Sequence, residues 1–202
     1  MLTIILLHFT LCLEFAWKQN LDQGGLRCHR CGLTDEDLNR RWSRPDPRLH
    51  PVIFHAKGLI EYCARVLGRT PFLYCDLHGH SRRKNVFLYG CSRAASWSAA
   101  DLAVPEDPAE YLLLPEVLQQ TAPAFALPLC SSRVERSRES TARVALWRQL
   151  GIGRSYTLES SYCGCDQGPY QSVTVQNLHS LILCFCLQIG RIGRARRRAA
   201  AR

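Results

Sequence analysis

Pro71-Phe-Leu-Tyr-Cys-Asp-Leu-His78 is a short apolar run that ends abruptly in polar and glycine residues, and Asn85-Val-Phe-Leu-Tyr-Gly90 is a second of similar size. Runs of this length, rich in aromatic and branched side chains and bounded by chain breakers, predict buried strands in the middle of a sheet. Residues 155–160 predict a third. Between and around them the period changes. Over residues 51–67, Val52, Ile53, Ala56, Leu59, Ile60, Cys63, Val66 and Leu67 recur at helical spacing with His55, Lys57, Glu61 and Arg65 between them, which predicts an amphipathic helix packed across the sheet. Residues 109–120 predict another helix, and residues 133–150 an arginine-rich helix or loop. Helices alternating with short buried strands define an α/β protein with a mixed central sheet flanked by helices. In such sheets, sites gather where strands end and loops begin.

The chain has 202 residues, 47% of them hydrophobic and 21% charged, enough for one globular domain and too apolar for disorder of the whole. Its net charge of +9 is local. Six arginines (Arg191, Arg194, Arg196, Arg197, Arg198 and Arg202) lie in the last twelve residues, and without them the balance is +3. The basicity therefore argues little for nucleic-acid binding by the folded body. Residues 20–48 are polar and arginine-rich, with the punctuation of a long functional loop.

Residues 1–16, MLTIILLHFTLCLEFA, read as a buried strand or as a signal-peptide core, although no basic residue precedes them. The apolar run at 178–189 is interrupted by His179, Ser180 and Gln188; neither stretch is long enough to span a bilayer. The eleven cysteines form no disulfide framework and read as reduced thiols. Cys28-x-x-Cys31 has half the form of a zinc knuckle, but Cys163/Cys165 and Cys184/Cys186 have one-residue gaps, so buried thiols are the better reading.

Three polar groups stand where strands stop: Asp76/His78/His80, the Asp37-Leu38-Asn39-Arg40 loop, and Glu159. Imidazole at one strand end with a carboxylate on another strand is what zinc-assisted hydrolysis uses, although a His-x-His pair is more often structural.

The order and wording of these segments resemble the cytosolic carboxypeptidases, a branch of the carboxypeptidase A-like zinc peptidases. The stretches that carry the resemblance are Arg30-Cys-Gly-Leu-Thr-Asp-Glu-Asp-Leu-Asn-Arg40, Leu49-His-Pro-Val-Ile-Phe-His-Ala-Lys57, Tyr74-Cys-Asp-Leu-His-Gly-His-Ser81, Arg138-Glu-Ser-Thr-Ala-Arg-Val144 and Arg154-Ser-Tyr-Thr-Leu-Glu-Ser160. The resemblance covers residues 20–170 and implies the C-terminal part of a catalytic domain, with 1–19 and 171–202 as divergent ends. It implies His78 as one of three zinc ligands and Glu159 as the general base. It further implies Asn39 and Arg40 as the clamp on the substrate's terminal carboxylate, and Arg30 as the stabiliser of the oxyanion. Arg143 is the candidate cation for a departing glutamate side chain; the alternative is a structural ion pair with Glu135 or Glu139. Acidic or polyglutamylated tails, such as those of tubulin, are the implied partners, and the cytoplasm the implied location.

The family takes its other two zinc ligands from an upstream His-x-x-Glu motif, and no histidine in this chain is followed three residues later by glutamate. The expectation is an incomplete chain, at both ends, that is itself inactive. Two functions compete: a zinc carboxypeptidase removing glutamate, and a non-catalytic binder of acidic C-terminal tails.

Overall fold

The computed structural model describes residues 35–171. The readings made of residues 1–16, Arg30, the five cysteines at 12, 28, 31, 184 and 186, the run at 178–189 and the arginine-rich end lie outside the described residues.

Strand β1 (Tyr74–His80), β2 (Val86–Tyr89) and β3 (Ser155–Ser161) form one sheet in the order β1-β3-β2. The last strand in sequence is thus the middle one. It pairs with β1 in parallel and with β2 antiparallel. Flanked on both edges and covered on both faces, β3 buries every residue but Glu159, which is half-exposed. Such burial is what a run of alternating apolar and small side chains allows.

One face of the sheet carries Val86, Leu88, Tyr156 and Leu158, which pack with Leu114 and Leu118 of helix α3 (Ala109–Thr121) and with Phe125. The other face begins with Tyr74, against which lie Trp42, Ile152 and Ala142, Ala145, Leu146 and Leu150 of helix α4 (Ala142–Leu150). The expected strands and helices are present, with small shifts: the first strand starts at Tyr74, not Pro71.

The helix expected across the sheet is a correction. Helix α1 (Pro51–Glu61), continued as a π-helical turn over Tyr62–Val66, adds Ile53 and Ala56 to the cluster around Tyr74. It is α4 that packs on β1 and β3. The reason lies in the side chains. The apolar residues of the 51–67 segment spread around the helix, leaving Val52, Phe54, Leu59, Tyr62 and Val66 exposed. Helix α4 instead buries seven of its nine residues despite carrying two arginines. Arg148, one of them, reaches Asp101 in the short helix α2 (Ala99–Leu102) at 2.7 Å.

Candidate active site

Parallel pairing puts His78 of β1 opposite Glu159 of β3. Residues in register on neighbouring strands point to the same side of the sheet, with backbones about 4.8 Å apart. Asp76 pairs with Thr157 two residues earlier and so lies on this same side. The alternation of β1 therefore places Asp76, His78 and His80 in one row.

A short 3₁₀ turn, Leu38–Arg40, brings the upstream loop to this row; Asp37 caps it by accepting the Asn39 N–H at 3.0 Å. The Asn39 side chain is held at both ends. Its Oδ1 accepts the N–H of Ala142 at 2.9 Å, satisfying one of the amides that the first turn of α4 leaves without a helical partner. With Oδ1 so used, Nδ2 is the donor, and it points to Asp76 Oδ2 at 3.2 Å. His78 Nε2 meets the same carboxylate oxygen at 2.7 Å. An ionised carboxylate only accepts, so the His78 proton sits on Nε2. The 3.2 Å between Asn39 Nδ2 and His78 Nε2 is then the approach of two donors to one acceptor.

That tautomer bears on the metal. A histidine that ligates through one nitrogen commonly donates the other N–H to a carboxylate, which orients the ring and raises its basicity. Asp76 stands in that position to His78 Nε2. Among the described residues, however, no group of three His, Cys, Asp or Glu side chains converges to hold an ion. The described residues therefore fit one ligand of a zinc site and not a complete one.

His80 has another task. Its Nδ1 accepts the backbone N–H groups of Arg82 and Arg83 at 3.1 and 3.0 Å, and its ring stands edge-on to Phe87 at 5.2 Å. Burial, with Arg83 and Arg82 nearby, holds its pKa below the ordinary histidine value, in keeping with an accepting ring.

Arg40 lies beside Asn39; its Nη1 donates to the Asn39 carbonyl at 3.0 Å and its Nη2 is 3.9 Å from Asp37. Arg143 is buried in the first turn of α4, one residue after the anchor of Asn39. It donates to the Gly90 carbonyl and to Cys91 Sγ, the latter at 3.4 Å. The ion pair weighed for it with Glu135 or Glu139 does not form. The structure thus brings His78, Glu159, Asn39 and Arg40 to one end of the sheet, while Arg143 follows Ala142, the anchor of Asn39, and turns to Gly90 and Cys91. Asp76 is the residue that sequence reasoning left without a role, although its place two positions before His78 on a strand was the signal.

This sheet and its two covering layers have the metallocarboxypeptidase fold. A solved metallo-carboxypeptidase from Burkholderia cenocepacia matches over 79% of this chain and 39% of its own, with TM-score 0.55 at 17% identity. No family model matches. The chain belongs to the cytosolic carboxypeptidase family. It is 51% identical over 173 residues to cytosolic carboxypeptidase 1 of Gallus gallus, covering 82% of this chain and 14% of that one. Against cytosolic carboxypeptidase 4 of Mus musculus it is 54% identical over 150 residues, covering 72% and 13%. The chain spans about one seventh of the length of the relatives it matches.

Proposed function

We propose that this chain supplies part of the catalytic domain of a cytoplasmic zinc metallocarboxypeptidase that removes glutamate from protein C-termini or polyglutamate side chains, such as those of tubulin. The observation that carries the reading is the register of His78 with Glu159, on the side of the sheet where Asn39 is pinned. His78 would give one zinc ligand, and zinc when bound supplies Lewis acidity that polarises the scissile carbonyl.

The chain's own residues do the rest. Glu159, the one accessible residue of a buried strand, takes a proton from the attacking water and returns it to the departing amine. Arg40 offers its guanidinium, with the Asn39 amide, to the free carboxylate of the substrate, so that only a chain end is accepted. Arg30 holds the oxyanion as it forms. Arg143 is a buried cation with no carboxylate partner among the described residues, which suits a pocket that receives a glutamate side chain.

Without the His-x-x-Glu ligands the 202 residues are expected to hydrolyse nothing alone. Joining the upstream His-x-x-Glu region of a cytosolic carboxypeptidase to this chain should create release of glutamate from Glu-tailed peptides and binding of about one zinc per chain. His78→Ala should remove both. Undiminished zinc in the His78→Ala protein overturns the ligand assignment, and a longer chain that stays metal-free yet holds polyglutamate supports the binder instead.

A further inference from the structure

The turn between β1 and β2 exposes three consecutive cations, Arg82, Arg83 and Lys84. None of them is in an ion pair among the described residues. The turn is nevertheless firmly built. His80 Nδ1 gathers the N–H groups of Arg82 and Arg83, the Arg83 guanidinium lies 5.7 Å from the Phe87 ring centre, and Tyr162 N–H donates to the His80 carbonyl at 2.8 Å. At its far end Asn85 takes a left-handed backbone, φ 69°, and is fixed by Asp166, which accepts from Asn85 Nδ2 at 2.7 Å. The Asp166 carboxylate is thus turned to Asn85.

Like charges held side by side without a counter-ion repel one another and lower the cost of binding an anion. The position says which anion. Arg82 is four residues beyond His78, so it lies within about 13 Å of that residue, the span of about four residues of extended peptide. A nucleic-acid strand wants a basic groove that tracks several phosphates, whereas here the three cations share one turn.

We propose that the Arg82-Arg83-Lys84 turn is a docking site for acidic side chains of a polypeptide, namely the residues that precede the end being cleaved. The proposal rests on the carboxypeptidase reading for its geometry but not for its binding chemistry. The turn takes carboxylates by charge alone, so the contact is salt-sensitive and tolerant of sequence.

The test uses the full chain without metal and a C-terminally amidated hexaglutamate peptide, which lacks the free carboxylate that Arg40 and Asn39 would hold. Failure of the active-site reading therefore leaves this result untouched. The unaltered chain should bind the peptide, and R82Q/R83Q/K84Q should weaken binding about tenfold at low salt while flattening its salt dependence. R82Q/K84Q, which keeps the Arg83 contacts with Phe87 and Leu129, should weaken it about threefold with unchanged thermal unfolding. No binding by the unaltered chain, equal binding by both variants, or tighter binding of an oligouridylate of equal charge overturns the proposal.

Discussion

Asp76 Oδ2 lies 2.7 Å from His78 Nε2 and accepts from Asn39 Nδ2 as well, so one carboxylate oxygen joins the imidazole of β1 to the amide of the preceding loop. Asp76→Asn substitutes an amide for that charged acceptor and removes the reason for the Nε2–H tautomer. Nitrogen-15 shifts of the His78 ring should show the Nε2–H form in the unaltered chain and a mixture in the variant. In the longer, metal-binding chain, zinc affinity should fall by about ten- to a hundredfold. An unchanged tautomer would show that some other group sets the ring.

Asn39→Ala removes the partner of Ala142 N–H together with a donor to Asp76. Loss of a helix cap of this kind costs about 1 kcal/mol, read as a lowered midpoint in urea unfolding. In the longer chain the same change should raise KM for peptides with a free C-terminus. An effect on stability without one on KM would leave Asn39 as a cap only.

Glu159→Gln keeps the shape of the side chain and removes its basicity. Zinc should stay bound in the longer chain while turnover falls by about a hundredfold or more. Normal cleavage of acidic tails by that variant would move the base elsewhere.

Asp101 provides the pH dependence. Burial raises its pKa, but hydrogen bonds from Arg148 and Ser96 outweigh this and hold it below the ordinary value of 3.8. A carboxyl depressed in the folded state contributes stability above 3.8 that is lost as the pH falls through the folded value. Acid unfolding followed by circular dichroism should therefore steepen below that point. Asp101→Asn should flatten this loss and cost about 1–3 kcal/mol near neutrality. Identical acid limbs in the two proteins would remove Asp101 as the source.

Thiol reactivity should divide the cysteines. Burial pushes Cys91 and Cys130 up to about 11, so iodoacetamide should modify them slowly, whereas Cys163 is exposed and should react first among the cysteines of the described residues. Early modification of Cys91 in the folded chain would contradict the packing of Val134, Val144 and Trp147 around it.

Much of this was legible in the residues. Short apolar runs ending at His78 and near Glu159 gave the strands, because a buried strand needs little more than length and branched or aromatic side chains. The strand order was not legible, since a period of two says which face a residue takes and nothing about which strand is its neighbour. Helix α4 was half hidden, its two arginines masking a helix that Arg148 ties to Asp101 and Arg143 ties to Gly90. The link from Asn39 to Ala142 joins residues 103 apart, a distance over which local pattern carries no information.

The position of β3 between β1 and β2 also governs how the molecule is made. Strands joined by a tight turn ordinarily zip together as a hairpin, but here both wait for a segment that starts at Ser155. Pairings this remote in sequence form late and slowly, because a long loop must close before any contact repays it. A chain emerging from the ribosome would carry two unpaired inner edges until Ser161 is free, and in that interval each can pair with another copy. Pulse-labelling hydrogen exchange should find the amides of β1 and β2 gaining protection together with those of β3, and none of them ahead of it.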